Sequence, residues 1–91
     1  MKILVLGDVM GVSGRKAIKK NLSKIIDDNK IDFTIINGEN SADSGKGITK
    51  SIAEEFFLLG VDVITSGNHI WDQKETIDYI NKESRLLRPA N

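Results

Sequence analysis

Residues 2–11, KILVLGDVMG, hold four consecutive apolar side chains that stop at Gly7, with Asp8 directly after it. A short apolar run rich in branched residues and closed by glycine reads as a buried strand meeting a polar turn. The pattern returns at residues 33–37 (FTIIN, then Gly38) and 61–65 (VDVIT, then Gly67). Three strands, 2–6, 33–37 and 61–65, are therefore predicted, each buried within the sheet.

The intervals between them have helical periodicity. Ile18, Leu22, Ile25 and Ile26 share one face of a first helix and leave Lys19, Lys20, Lys24 and Asp28 toward water. Ile48, Ile52, Ala53, Phe56 and Phe57 mark a second helix. Either Thr49 or Ser51 could cap it, Ser51 having Glu54 at capping-box spacing, and Gly60 ends it. A third begins at Asp72, with Glu75 in the matching position, and is expected to bury Ile77 and Ile80. Residues 84–91 (SRLLRPAN) have the makings of a further strand, against which Pro89 weighs.

Strands alternating with helices through short connections predict an α/β segment, β-α-β-α-β-α, with parallel strands and right-handed crossovers. All strand C-termini then lie along one edge, where such sheets bind ligands. The glycines that close the strands are 31 and 29 positions apart, about one strand and crossover each, and each precedes oxygen-bearing side chains. Asp8, Glu39, Asn40 and Asn68 are thus expected to converge. Two carboxylates and two carboxamides at one place repel and desolvate each other unless a cation holds them, and hard divalent ions favour such donors. Each residue also has an ordinary explanation as a helix cap or solvated turn; the case for a metal rests on their occurring together.

His69 is the chain's one histidine, and a lone histidine is more often structural than catalytic. Its place after Asn68 shifts that balance, because a polarised phosphate needs a proton donor for its departing oxygen.

The segments ILVLGDVMG, INGENSADSGKGIT, VDVITSGNHIWD and RPAN, carrying GD (7–8), GEN (38–40) and GNH (67–69), resemble the calcineurin-like metallophosphoesterases. Within them they are most similar to the bacterial branch described as 2′,3′-cyclic-nucleotide 2′-phosphodiesterases, and the resemblance covers the whole chain. It implies a four-layer α/β/β/α sandwich with two divalent metal ions (Fe, Mn or Mg) at the strand ends and a metal-bound hydroxide attacking phosphorus in line. It also implies that Asp8, Glu39, Asn40 and Asn68 are metal ligands, with Glu39 bridging. His69 then protonates the leaving group or steadies the phosphate of a small phosphodiester such as a cyclic nucleotide. Met10 stands where the wider superfamily has histidine, and Glu39 where it has aspartate; both departures match the bacterial branch. The family draws further metal-binding histidines from its second half, so residues 1–91 are expected to form the N-terminal part of a metallophosphoesterase domain, about a third of a member. Such a piece is expected to bind metal weakly.

Composition narrows the alternatives. Thirteen basic and thirteen acidic residues leave no net charge, which argues against long nucleic acid or an anionic membrane as partner. The absence of cysteine and of a leader-like start points to a cytoplasmic protein, which would leave the Asn21-Leu22-Ser23 sequon unused. Val9 occupies a position where a dinucleotide fingerprint needs glycine, and Asn40 and Gly47 break any P-loop around Gly45 and Lys46. Residues 40–47 read as a solvated connector and Trp71 as a packing residue at the third helix. Two rival functions remain: an inactive binding or assembly module that pairs copies through its incomplete sheet, as a homo-oligomer, and a flavodoxin-like nucleotide-binding domain resting on Asp8 alone.

Overall fold

Two aspartates pin the start of the sheet by the same device. Asp32 accepts the Lys2 backbone N–H on Oδ2 at 2.8 Å and donates its own N–H to the Lys2 carbonyl at 2.8 Å. One strand further on, Asp62 accepts the Thr34 N–H at 2.8 Å and donates to the Thr34 carbonyl at 2.9 Å. These paired bonds satisfy backbone groups at the strand starts and fix the register of each neighbour.

The protein is described by a computed structural model covering residues 1–45, 47–67 and 74–88. Its elements run β1 (Ile3–Asp8), α1 (Gly11–Asn29), β2 (Phe33–Asn37), α2 (Lys50–Leu58), β3 (Val63–Thr65) and α3 (Lys74–Ile80). The strands form one parallel sheet in the order β1-β2-β3, as expected from the alternation of elements. β1 runs to Asp8, past the predicted end at Leu6, and β3 starts at Val63 because Asp62 is occupied with the clamp on Thr34. Leu86 makes a parallel bridge to Ile64, so the outer side of β3 is partly covered by residues after α3. The nearby turn is held by Glu83 and Arg85, whose guanidinium draws the Glu83 carboxyl down to about 2. Arg85 also lies 4.0 Å from the centre of the Phe57 ring.

A sheet built in chain order with right-handed crossovers puts α1 and α2 on the same face. Burial agrees. Thr34, Ile36 and Ile64 are buried and Leu4 and Leu6 pack against the core, where Leu22, Ala53 and Phe56 of the helices meet them. The alternate residues Ile3 and Val5 are 54% and 67% exposed, and Phe33, Ile35 and Val63 are half-buried. The expectation of buried strands holds for one face alone: among the described residues the other face is apolar and partly open.

Three further expectations change in detail. Thr49 caps α2, accepting the Ile52 N–H at 3.3 Å, so the Ser51–Glu54 box is not used, and Ile48 packs in the core just ahead of the helix. Gly60 ends this segment at φ 110°, a conformation costly for any side chain. In α3, Ile80 is buried but Ile77 is 38% exposed; Thr76 takes the inner position instead, its hydroxyl donating to the Ile48 carbonyl. In α1, Leu22 is buried while Ile25, at 37% exposure, lies at the margin of the apolar face. The predicted Asp72 cap lies outside the described residues, as do Lys46, Trp71 and Pro89.

One methyl group removed from each face tests this asymmetry. In the 91-residue chain Ile36→Val is expected to cost about 0.5–1.5 kcal/mol, as in other buried cores. Ile3→Val should stay within about 0.5 kcal/mol, as for other exposed positions. Urea unfolding measures both, and equal losses would contradict a one-sided core.

Candidate functional site

The β1–β2 register is regular from Ile3↔Phe33 to Leu6↔Ile36 and then shifts, so that Asp8, not Gly7, pairs with Asn37. Gly7 is the extra residue of a bulge. Strict alternation would have sent Asp8 to the side of Leu4 and Leu6, beneath the helices, where an unpaired carboxylate is costly. The inserted residue reverses the phase: Asp8 is exposed and Val9 takes the buried place at 5% exposure.

The next turn is built by its own side chains. Asn37 Oδ1 accepts the Glu39 N–H at 3.1 Å, forming an Asx turn, and Ser41 Oγ donates to the Gly38 carbonyl at 2.8 Å. Gly38 N–H donates to the Thr65 carbonyl at 2.9 Å, tying the end of β2 to the end of β3. Gly38 also has no room for a side chain, since a Cβ would stand 2.9 Å from Ile64 Cγ2. Glu39 and Asn40 therefore project from a turn with little freedom.

Their partners are the other strand ends. Asn40 Nδ2 donates to both Asp8 carboxylate oxygens, at 3.0 and 3.1 Å. Glu39 lays its carboxylate against Gly67 so closely that a Cβ there would sit 2.5 Å from Glu39 Cδ. The structure thus joins Asp8 to Asn40 directly and brings Glu39 to the turn following β3. Asn68 and His69, the remaining predicted ligand and the predicted proton donor, lie outside the described residues.

The donor set suits a hard cation: the carboxylates of Asp8 and Glu39 come from neighbouring strand ends, and Asn40 adds a carboxamide whose Oδ1 is its lone-pair donor. Among the described residues no three of His, Cys, Asp and Glu gather into a metal-binding group. Full coordination would therefore draw on Asn40 and on groups beyond these. Sequence reasoning missed Asn37 and Ser41 as builders of the site. The signal for the first was its place directly before Gly38, where an Asx turn is favoured.

Fold and site together define an α/β chain whose strand C-termini present oxygen donors to one edge. A family model described as YmdB-like protein matches residues 4–91, and the chain belongs to that family. It is 48% identical over its full length to a 2′,3′-cyclic-nucleotide 2′-phosphodiesterase of Bacillus subtilis (strain 168), covering 34% of that protein. It is 38% identical, again over its full length, to a putative phosphatase/phosphodiesterase of Mycoplasma pneumoniae, covering 32% of it. The crystal structure of a novel phosphatase from Mycoplasma pneumoniae superposes on the whole chain with a TM-score of 0.92 at 38% identity, and the chain covers 32% of it. A hypothetical protein from Thermus thermophilus superposes on 98% of the chain with a TM-score of 0.87 at 37% identity, 34% of that structure being covered. The chain spans about a third of the length of the curated relatives it matches.

Gly67→Ala is expected to displace the Glu39 carboxylate without unfolding the chain, because the obstructed group is the far end of a flexible side chain. Gly7→Ala meets nothing within 4 Å and serves as control. The Glu39 side-chain carboxyl resonance should move in the first variant alone; a resonance unmoved in Gly67→Ala would refute the contact.

Proposed function

We propose that this chain supplies the N-terminal part of a metal-dependent phosphodiesterase site acting on 2′,3′-cyclic nucleotides or related small diesters. The observation that carries this reading is the Asp8–Asn40 contact beside a Glu39 carboxylate lodged against Gly67: the turns after β1 and β2 deliver oxygen donors to one edge, and the turn after β3 meets them there. The kinship supports the reaction class, since the Bacillus subtilis relative bears the cyclic-nucleotide name.

In this reading Asp8, Glu39, Asn40 and Asn68 would hold divalent cations, manganese, iron or magnesium. The cations supply Lewis-acid polarisation of the phosphoryl oxygens and lower the pKa of water. Asp8 and Glu39 offset their charge and fix their position relative to the diester. The Asn40 amide keeps the Asp8 carboxylate oriented between turnovers. Water oxygen would bond to phosphorus as the ester P–O bond breaks, and His69 would give a proton to the departing oxygen, so that the ring of a cyclic diester opens to a monoester without a covalent intermediate.

Asp8→Asn keeps the shape of the side chain and removes its charge. In the intact protein supplied with manganese it should lower kcat/KM for a 2′,3′-cyclic nucleotide by at least about a hundredfold, a few kcal/mol of transition-state stabilisation. Undiminished hydrolysis by this variant would overturn the metal reading.

The open sheet face favours a second reading, in which the 91-residue chain is an assembly module that pairs with another copy. β1 has no strand on its outer side among the described residues, and Val5 on it is 67% exposed. Sedimentation equilibrium should then show reversible dimers that Val5→Lys dissociates; a monomer at millimolar concentration would eliminate this reading.

A further inference from the structure

The loop that carries Asn40 is strapped to the first turns of α1. Gly11 N–H donates to the Asn40 carbonyl at 2.9 Å. One turn later Arg15 reaches back with both terminal nitrogens: Nη1 donates to the Ser41 carbonyl at 2.6 Å, and Nη2 to Asp43 Oδ1 at 2.7 Å. The Arg15 side chain is 18% exposed, against 78% for Asp43. The bond to the Ser41 carbonyl is part-buried and carries the strap, whereas the pair with Asp43 is exposed, the kind that contributes little by itself. A planar guanidinium can hold a carbonyl and a carboxylate at once in fixed geometry, which a lysine cannot.

From this geometry, and resting on the metal-site reading above, we infer that Arg15 is a positioning residue for Asn40. It fixes the 41–43 backbone and so keeps the Asn40 carboxamide aligned on Asp8. Arg15 touches neither donor itself. Its charge is matched by Asp43, so its effect on the site runs through the placement of residue 40. A cavity of about 410 Å³ beyond it carries Asp43 and Glu55 in its lining as well as Arg15.

The test uses the intact protein with Arg15→Ala, Arg15→Lys, Asp43→Ala and Asp8→Asn, and two readouts. The first is the Asn40 side-chain amide resonance without metal, assigned by its loss in Asn40→Asp. The second is manganese affinity, measured from the paramagnetic signal of the free ion, with the melting temperature recorded alongside. Arg15→Ala should shift the Asn40 amide and weaken manganese binding by about tenfold or more, the usual cost of losing a group that orients a ligand. Arg15→Lys should recover the fold but only part of the affinity, and Asp43→Ala should give a smaller loss. Should Arg15→Ala not fold, the other two decide the matter. Unchanged amide resonance and unchanged manganese affinity in the folded Arg15 and Asp43 variants, with Asp8→Asn impaired, would refute the positioning role and leave the metal reading standing. If Asp8→Asn also binds manganese normally, the metal reading itself fails.

Discussion

Register is the constraint on which the rest of this structure depends. In a parallel sheet, slipping one strand by one residue exchanges its two faces and moves its last residue along the edge by a full step. Asp32 and Asp62 oppose any slip at the N-terminal ends, each holding a neighbouring residue by both its N–H and its C=O. With that end fixed, the bulge at Gly7 becomes a controlled departure at the other: it turns Asp8 out of the helix-covered face and sets it opposite Asn37. Clamp and bulge act at opposite ends of β1 and need each other. A bulge in an unclamped strand could be absorbed by sliding, and a clamped strand without it would drive a carboxylate toward the core.

The general plan of the fold was legible because it depends on pattern alone. Three apolar runs closed by glycine and two intervals of helical periodicity suffice to specify parallel strands and a shared edge, and from that edge Asp8, Glu39 and Asn40 could be named. What escaped depends on interactions between distant residues. Asp32, ahead of the second predicted strand, and Asp62, within the third, were given no role, since nothing local shows that each would clasp a residue some thirty positions earlier. The open face escaped because an apolar run looks alike whether one side or both are covered. Thr76 displaced Ile77 from the inner position of α3 because its hydroxyl finds the Ile48 carbonyl, a tertiary bond that hydrophobic periodicity does not weigh.

The polar groups at the edge give each of its two carboxylates a different neighbour. Asn40 offers its amide hydrogens to Asp8. Glu39 has its backbone N–H committed to Asn37 and its carbonyl to the Gly47 N–H at 2.6 Å. The Glu39 backbone is thus satisfied within the turn, and the Asp8 carboxylate is held by the Asn40 amide. On the proposed metal reading, a cation would then bind without rearrangement of the chain, the usual condition for a preorganised site.

The site and the open sheet face are parts of one feature. Asp8 pairs with Asn37, and Asn37 follows Phe33 and Ile35 in the phase of the pleat that leaves Ile3 and Val5 exposed and Val63 half-buried. Whatever layer covers that apolar face therefore meets the strand ends on the side to which the bulge has turned Asp8. A covering layer would remove Ile3 and Val5 from water and lower the local dielectric around the acids, raising the cost of leaving them unpaired. On the proposed metal reading, apolar burial and cation binding would then be coupled through one alternation of side chains: the register that leaves hydrophobic residues open also places the Asp8 carboxylate at the rim of that face.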